Sequence, residues 1–552
     1  MPKQTDLNPC GERVNPWWAT AASRPMMLWM LILLLLALRM LWQWHSPFTL
    51  IEDEAHYWEW SRRPDWSYYS KGPGVAWVIW ASTRLLGNTE FAVRLPASIA
   101  TALGMYAVAK AALDMLRQQR YAFLSAVLYN CVPGIAVASM IMTIDAPYVA
   151  CWAWASFFAL RAIMKRSGGS WVGFGLSIAA GFLFKYTILL LLPGVLLALW
   201  VTRKNRQPIR KGWFLLGLSV SLLGLIPVVV WNSVHDWATV RHLLGHLGLS
   251  GGDTQGTDAG TGEPWTIMWS LEYIALQILV AGPVIFLAVF AWINSAKQGN
   301  RDTIIVIRAM IALALPILVF YFFVSLITET EGNWAMAAFV NLVPPAAWAV
   351  MDGVARIDRP IKFFWGASLV TGIGVLMLFP GAKTLARVPG IGGLVPLYRM
   401  SGMREHARDA QRVLDELESE TGKEPIVMSV HYGRASQLAF YLPGHPVVYC
   451  TSSLVGGRKT QYDIWAQTDL RNPETQQRLL ARPGLLFGGQ PKHWKSAFDS
   501  LTDIGKLENE PKDHGTTYTG LNFHPFPAWR HPAKTADQSQ EKGDSHALPE
   551  HP

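Results

Sequence analysis

Charged side chains are scarce in this chain of 552 residues, of which only 16% are Asp, Glu, Lys or Arg. Soluble domains usually carry roughly 25%. Hydrophobic residues make up 51%, and 26 residues are Trp, so the composition predicts a membrane protein with many spans rather than a large soluble core. The formal net charge of +9 does not indicate nucleic-acid binding, because the basic residues lie in short clusters between apolar segments, as is typical of membrane topology.

Recognisable cofactor motifs are also missing. The four cysteines form no metal-ligand spacing and no disulfide framework, and no Gly-rich loop follows a strand to bind a soluble nucleotide. His56, His235, Asp236 and His242 match no metal motif such as HExxH. No cofactor is therefore firmly implied; a divalent metal is compatible with the chemistry but unsupported by ligand spacing. A sugar or phosphoryl donor is expected to be lipid-borne.

Long apolar segments are abundant, and a transmembrane helix needs about 20 such residues. We expect residues 1–25 to stay in the cytoplasm and 26–380 to form an all-α polytopic membrane domain of about 11 spans. The segment between Trp171 and Thr202 is too long for one span and is divided at Lys185. The predicted spans are 26–44, 94–116, 120–141, 146–163, 171–184, 186–202, 212–231, 266–293, 303–327, 335–351 and 362–380.

The segment 73–86 decides the topology because it is shorter than a normal span. If it lies in the interface, the basic connectors at 117–120, 161–166, 202–211, 297–301 and 356–362 all share the face of the N-terminus, as the positive-inside rule requires. If it crosses, every cluster moves outside, so we favour an interfacial helix. The opposite, extracytoplasmic face then receives everything after Phe379 and these charges: Asp53, Glu54, Lys71, Arg84, Arg94, Asp145, Lys185, His235, Asp236, Glu329 and Glu331.

The last third of the chain has the composition of a soluble domain. An amphipathic helix over 404–421, a second over 434–441, and buried strands at 425–430, 446–450 and 485–487 predict a small extracytoplasmic α/β domain within 381–530. The Gly-rich loop 233–265 is long enough to be functional or disordered. Residues 531–552 are predicted to be a disordered tail.

The first extracytoplasmic loop, residues 45–93, is the main candidate for chemistry. It sets Asp53, Glu54, His56 and Lys71 among aromatic rings directly after the first span. A carboxylate here could act as a general base toward an acceptor hydroxyl or amine. The same acids also suit the N-terminus of a helix, where the macrodipole favours negative charge, and spacing alone does not separate these two interpretations.

Basic residues on the same face could contact a lipid phosphate. Lys71, Arg84, Arg94 and Lys185 lie at the rims of predicted spans, and Arg and Lys are the side chains that bind phosphate. Each residue alone could simply snorkel to ordinary headgroups. Asp145, just before Ala146 and Pro147, is either a helix N-cap or an acid facing the site, and both can be true.

These elements together resemble the lipid-linked-sugar glycosyltransferases of the GT-C fold. The bacterial branch related to protein O-mannosyltransferases and to the lipid A aminoarabinose transferase is the most similar. The acidic pair in combination with the Arg-Leu-Pro element is fairly specific, whereas each alone would be weak. The matching segments, in chain order, are Asp53–Trp58, Tyr68–Pro73, Phe91–Pro96, Thr143–Pro147, Phe184–Thr187, Trp231–Trp237, Gly332–Trp334, Phe440–Pro443 and Gly457–Trp465.

The resemblance implies a polyprenyl-phosphate-linked sugar donor, attacked with inversion by an extracytoplasmic acceptor at the inner (plasma) membrane of a bacterium. The acceptor could be lipid A, a protein or a surface glycan. Asp53 would be the catalytic acid of the first loop, with Glu54 beside it and Asp145 organising the site. The donor phosphate would be bound by Lys71, Arg94, Lys185 and Arg84; the substrate-loop candidates are His56, His235, Asp236, Asn333 and Trp334.

One departure from the family pattern concerns Lys71. Many family members continue with two prolines after the basic residue, whereas here the sequence is Gly72-Pro73-Gly74. Because Gly makes the backbone more permissive, we expect a looser loop that aims Lys71 less accurately.

A transporter or flippase for a lipid or small anion is the alternative function, with the same charges lining its path. Against it, the charges gather at one rim rather than at the bilayer midplane, and no inverted repeat is visible in the order of segments.

Overall fold

The computed structural model describes residues 22–204, 209–246, 252, 266–298, 300–356, 358–390, 397–509 and 515–527. Nearly all of the predicted N-terminal segment 1–25, much of the Gly-rich loop 233–265 and all of the predicted tail 531–552 lie outside the described residues.

The first two thirds of the chain are helical. Short 3-10 turns at Tyr186–Leu190, Leu222–Gly224, Met336–Asn341 and Leu397–Arg399 connect the α-helices. The helices are α1 (Pro25–His45), α2 (Glu52–Ser61), α3 (Gly74–Leu86), α4 (Glu90–Leu116), α5 (Gln119–Asn130), α6 (Pro133–Ala138), α7 (Asp145–Lys165), α8 (Gly168–Phe182), α9 (Leu191–Thr202), α10 (Lys211–Ser221), α11 (Leu225–Val234), α12 (Ala238–His246), α13 (Ile267–Ala281), α14 (Val284–Gln298), α15 (Arg301–Val324), α16 (Val343–Ala355) and α17 (Arg359–Leu385).

Several of these helices are long and apolar enough to cross a bilayer. Within the described ranges there are five: α1, α4, α10 continued through α11, α15 and α17. Helices α13 and α14 make a sixth if they are one span, but they are bent by 91° at Gly282, whose φ is +61°. The chain is thus a multi-pass membrane protein, and the count of about 11 spans stays a prediction because many predicted segments form shorter helices.

The structure contains both short segments on which the topology argument depends. Helix α8 ends at Phe182 and α9 begins only at Leu191, so the apolar segment is broken at Lys185 as predicted. Helix α3 has 13 residues, about 20 Å at 1.5 Å per residue, which is shorter than the roughly 30 Å hydrocarbon core. That length agrees with the predicted interfacial helix.

The last part of the chain is a small α/β unit. Helices α18 (Met403–Thr421), α19 (Tyr432–Tyr441), α20 (Pro473–Leu479) and α21 (Pro491–Trp494) accompany strands β1 (Ile426–Ser429), β2 (Val448–Cys450), β3 (Gly484–Phe487), β4 (Phe498–Gly505) and β5 (Thr517–Phe523). The sheet order is β2-β1-β3-β5-β4, with β2, β1 and β3 parallel and β5 antiparallel to both β3 and β4.

The predicted elements of this unit are confirmed, but two strands went unpredicted. Helix α18 ends at Gly422, which has the left-handed φ of +66° that favours glycine at a helix C-terminus. Strand β4 is mostly exposed along its length because it lies at the edge of the sheet. Its sequence therefore lacks the continuous apolar residues that marked the three predicted strands, β1, β2 and β3.

The α/β unit packs directly on the first loop. The Trp58 ring meets Phe440 at a centroid distance of 4.8 Å, while the backbone of Leu50 donates to the Tyr441 hydroxyl at 2.6 Å and accepts from Gln437 at 2.9 Å. Buried residues of α2, α19 and β1 belong to one continuous hydrophobic cluster. Distant parts of the chain are thereby held together over helix α2.

Candidate active site

A cavity of about 480 Å³ opens where the first loop, the helical bundle and the α/β unit meet. Asp53 and Lys71 come from the first loop, Asp145 and Lys185 from the bundle, and Arg458 from the α/β unit. The remaining lining residues are His56, Tyr57, Tyr69, Ser70, Thr143, Ile144, His242, Glu331, Asn333, Trp334, Arg399, Tyr432, Lys459, Thr460 and Gln461. The site is therefore assembled from segments up to about 400 residues apart.

Asp145 is held by three neighbours on one wall of the cavity. Lys185 Nζ donates to its Oδ1 at 3.1 Å, Asn333 Nδ2 donates to its Oδ2 at 2.7 Å, and the Thr143 hydroxyl donates to the same oxygen at 3.3 Å. Because its oxygens are occupied and only 7% of its side chain is exposed, Asp145 is placed to orient Lys185 and Asn333 rather than to accept a proton.

Asp53 is the acid that remains available. It lies in the first turn of α2, which begins at Glu52, and its side chain opens into the cavity. Within the described ranges its carboxylate makes no hydrogen bond. The surrounding walls limit solvation and raise the pKa of Asp53 above its ordinary 3.8, an effect that Lys71 partly offsets. A carboxylate of raised basicity without a fixed partner has the properties of a general base.

Lys71 lines the same cavity as Asp53. Burial lowers the pKa of Lys71 below its ordinary 10.5, and the positive charge of Lys185 lowers it further, while Asp53 opposes the shift. Two lysines in one cavity favour an anionic ligand, because an added phosphate relieves the repulsion between the ammonium groups.

The expectation that Lys71 sits on a loose loop is wrong. The backbone N–H of Gly74 donates to the Leu183 carbonyl at 2.9 Å, and a Cβ at Gly72 would lie 2.4 Å from that same carbonyl oxygen. Both glycines are needed because the loop packs backbone to backbone against the break that precedes Lys185. The Gly-Pro-Gly sequence thereby fixes Lys71 beside Lys185.

If the cavity carries out the sugar transfer that the family resemblance implies, Gly72→Ala should lower that transfer about 100-fold, since displacing a substrate-binding group by about 1 Å can have that effect. Overpacking should cost only about 1–3 kcal/mol of stability. The matched control is Gly366→Ala, where an added Cβ meets nothing within 4 Å. Transfer rates and thermal unfolding of both variants test this, and full activity of Gly72→Ala would contradict the tight packing.

Glu54 and Arg94 form a structural pair instead of facing the cavity, which corrects their predicted roles. The two side chains make a bidentate ion pair, at 2.8 Å and 2.7 Å, and are 0% and 1% exposed. Glu54 also accepts from the backbone of Met142 and Ile51, and Arg94 donates to two carbonyls of the first loop. This network ties α4, α2 and the segment before Asp145 together, so it positions the first loop.

Three other predicted residues lie away from the cavity. Arg84 is exposed on α3 with its guanidinium 6.0 Å from the Trp80 ring centroid. His235 stacks on Trp231 at 4.1 Å and bonds its carbonyl. Asp236 is exposed and has a φ of +50°. Linear proximity to matching motifs suggested these residues, but none of them lines the site.

His56, Asn333 and Trp334 line the cavity, and their predicted part in substrate binding stays a prediction. His56 is not a free base, however, because Trp60 Nε1 donates to its Nε2 at 3.1 Å and its Nδ1 bonds the Ser436 hydroxyl at 3.1 Å. Burial lowers the pKa of His56 to about 3. It is therefore a neutral link between α2 and α19.

The α/β unit contributes cationic residues to the site that were not predicted. Arg458 lies 4.8 Å over the Tyr432 ring, and Lys459 lines the same cavity, as does Arg399 of the 3-10 turn just before the unit. The Tyr69 backbone N–H donates to Gln461 Oε1 at 2.7 Å, which joins the two walls. The resemblance over 457–465 was the available signal, but it carried no chemical argument for a role in the site.

In the part of the chain that the structure describes, no three His, Cys, Asp or Glu side chains are grouped so that they could hold a metal ion. The cavity lining instead contains lysine and arginine side chains, whose nitrogens can bind an anionic ligand.

Comparisons with known proteins agree with this architecture. The family model described as dolichyl-phosphate-mannose-protein mannosyltransferase matches residues 70–231. The lipid A galacturonosyltransferase RgtD of Rhizobium johnstonii is 28% identical over 297 residues, covering 54% of this chain and 59% of that protein. The chain thus spans less than two thirds of the length of this relative.

An undecaprenyl phosphate-alpha-4-amino-4-deoxy-L-arabinose arabinosyl transferase of Pectobacterium carotovorum is 32% identical over 401 residues, covering 65% of this chain and 67% of the relative. Among solved structures, ArnT from Cupriavidus metallidurans in the apo state matches with a TM-score of 0.60 at 15% identity, covering 91% of this chain and 98% of ArnT. Its undecaprenyl phosphate complex matches with a TM-score of 0.59.

The fold and the rim cavity define a GT-C-type membrane protein with a small C-terminal sheet. The chain belongs to the family of membrane glycosyltransferases that includes the undecaprenyl phosphate-aminoarabinose arabinosyl transferases.

Proposed function

We propose that this protein transfers a sugar from a polyprenyl-phosphate donor to an extracytoplasmic acceptor, with inversion at the anomeric carbon. One observation carries the proposal: Asp53, whose carboxylate makes no hydrogen bond within the described residues, lines the same cavity as Lys71 and Lys185. A general base beside two cations suits a displacement whose leaving group is a phosphate, since such a group needs charge neutralisation rather than protonation.

The proposed step involves a single displacement. An acceptor oxygen attacks the anomeric carbon and the bond from that carbon to the phosphate oxygen breaks. The acceptor proton passes to the carboxylate of Asp53, and the leaving polyprenyl phosphate keeps the bonding electrons. Lys71 and Lys185 stabilise the charge that develops on the phosphate oxygens, and Asp145 holds Lys185 in place through their 3.1 Å contact. No cofactor is needed to balance this step.

The acceptor we favour is a phosphorylated lipid of the lipid A type. Five basic residues line the cavity (Lys71, Lys185, Arg399, Arg458 and Lys459) against three acids (Asp53, Asp145 and Glu331). This excess of positive charge exceeds what one donor phosphate needs and favours a second anion. The names of the Rhizobium and Pectobacterium relatives, which refer to lipid A and to an aminoarabinose donor, support the same choice.

The proposed placement is a bacterial inner membrane with about 11 spans, an N-terminus in the cytoplasm, and the cavity and α/β unit outside. The interfacial length of α3 supports it, because one additional crossing at α3 would move the basic connectors to the wrong face. Reporter fusions after residue 380 test it, and a cytoplasmic signal there would overturn the one-face site.

The direct test uses purified protein with undecaprenyl phosphate-linked aminoarabinose, galacturonic acid or mannose as donor, and lipid A, a Ser/Thr peptide or a polysaccharide as acceptor. Product formation is followed by mass spectrometry. Transfer to lipid A alone supports the whole proposal. Transfer to the peptide or polysaccharide overturns the acceptor class, and no transfer with any combination overturns the activity.

The rate of transfer should depend on pH in a bell-shaped curve that is narrower than ordinary Asp and Lys side chains would give. Asp53 must be ionised, so its raised pKa moves the acid limb to a higher pH than an ordinary Asp would give. Lys71 must be charged, so its lowered pKa moves the alkaline limb to a lower pH. Since the Lys71 charge stabilises the Asp53 carboxylate, Lys71→Met should shift the acid limb further upward. An unchanged acid limb would contradict this coupling.

A further inference from the structure

A second cationic groove lies at the other end of the helical bundle. It has a volume of about 710 Å³ and is formed between the C-terminal end of α9, helix α14 and the first turns of α15. Arg203, Lys204 and Arg308 line it together with Trp200 and Trp292. Apolar side chains complete its walls: Leu197, Val201, Ile311, Ala312 and Leu315.

Two helices fix the position of this groove relative to the catalytic cavity. The 3-10 turn Tyr186–Leu190 and helix α9 connect Lys185 in the cavity to Arg203 in the groove. Together they rise about 26 Å along the helix axis. Helix α15 runs beside α9 and leads from Arg308 in the groove toward the cavity residues Asn333 and Trp334. The groove is thus about one hydrocarbon thickness from the cavity, in the opposite leaflet region.

Charge in the groove is all of one sign. Its lining contains three basic residues and no acid, and within the described ranges none of the three forms an ion pair with a carboxylate. Arg203 lies 4.7 Å over the Trp200 ring and Arg308 lies 5.5 Å over the Trp292 ring. Stacking on aromatic faces holds guanidinium groups in place while leaving their N–H donors available to an anion.

Arg308 lies too far inside its helix to be explained as one of the basic residues that usually flank the cytoplasmic ends of spans. It lies seven residues after the start of α15 at Arg301, about 10 Å into an otherwise apolar helix. Ionisable residues at such depth are costly and usually mark a binding site. Snorkelling of one isolated side chain is the simpler account, but it does not explain why cations from two different helices converge on one groove.

We propose that this groove binds an anionic glycerophospholipid of the leaflet opposite the catalytic cavity. The lipid phosphate would accept hydrogen bonds from Arg203, Lys204 and Arg308, and an acyl chain would lie along Leu197, Ile311 and Leu315. The exposed Trp200 and Trp292 rings, 59% and 46% accessible, have the amphipathic character that suits the interface. The proposal depends on membrane insertion and not on the transfer reaction.

The test measures lipid retention by the purified full chain. Native mass spectrometry counts phosphatidylglycerol or phosphatidylcholine of matched acyl chains on wild type, Arg203→Gln/Arg308→Gln and the control Arg210→Gln/Lys211→Gln, which removes two charges outside the groove lining. Each basic side chain near a membrane surface contributes about fivefold to anionic-lipid affinity. We therefore expect about 30-fold weaker phosphatidylglycerol binding in the groove variant and wild-type binding in the control.

Several outcomes would overturn the proposal. Equal losses in the groove and control variants would indicate general surface electrostatics, and no preference of wild type for phosphatidylglycerol would remove the phosphate contact. Displacement of the lipid by millimolar inorganic phosphate would assign the site to free phosphate, and preferential retention of undecaprenyl phosphate would assign it to the donor. If the double variant does not fold, Lys204→Gln should still weaken binding about fivefold.

Discussion

Asp53→Asn should reduce sugar transfer by about 10²–10⁴-fold while leaving the fold intact, because general-base catalysis contributes that much to rate. The substituted amide cannot accept the acceptor proton. Stability should not change, since within the described ranges the carboxylate makes no hydrogen bond and the limited solvation inside the cavity raises its pKa. The measurement is kcat with the donor that wild type uses, alongside thermal unfolding in the same detergent.

Asp236→Asn is the matched control for this variant. It is the same chemical change at a residue that the sequence also suggested as a site residue. Asp236, however, is exposed and does not line the cavity. Its left-handed φ of +50° is one that Asn adopts readily. We expect wild-type kcat from it; equal losses in the two variants, or normal transfer by Asp53→Asn, would remove Asp53 from the catalytic role.

Arg94→Met should destabilise the protein by about 3–5 kcal/mol, because it leaves the fully buried Glu54 carboxylate without its partner. The variant also loses the hydrogen bonds from the Arg94 guanidinium to the Phe48 and Thr49 carbonyls. Those bonds hold the backbone just before α2 in place. Thermal unfolding and yield from membranes measure the effect. A residue that only bound donor phosphate would instead leave stability unchanged and raise KM.

The double variant Glu54→Gln/Arg94→Met separates a structural pair from a phosphate contact. Removing both charges relieves the unpaired carboxylate, while Gln can still accept from the Met142 and Ile51 backbones. We expect it to recover at least about half of the stability lost in Arg94→Met, as coupled neighbours do in a mutant cycle. Additive losses would show that the two side chains act independently.

The candidate catalytic residues of the first loop could be predicted from the sequence because residue type and position along the chain point to the same place. Asp53 and Lys71 follow the first apolar helix directly, so membrane topology alone places them at one rim. Asp145 and Lys185 were placed on the same face by counting crossings, and the structure brings them within 3.1 Å of one another. The length and periodicity of the apolar segments predict where each helix begins and ends, and therefore on which face of the membrane a connecting residue lies.

The direction in which each side chain points could not be predicted from the sequence. Asp53 and Glu54 are adjacent acids with equal claims by sequence, but successive residues of a helix point about 100° apart. One therefore faces the cavity while the other is buried against Arg94. The same limit explains why Arg94 and Arg84, which have the right residue type at the right rim, do not line the cavity.

By itself, the sequence determined the membrane class, the break at Lys185, the short helix α3, the three parallel strands of the small sheet and the family resemblance, because each depends on local hydrophobic pattern or on short motifs. Only the tertiary structure decided that the α/β unit forms a wall of the cavity and supplies Arg458, that Gly72 fixes Lys71 against the Leu183 carbonyl, and that Glu54 is consumed by an ion pair. These features depend on contacts between residues tens to hundreds of positions apart, for which the order of residues along the chain contains no direct signal.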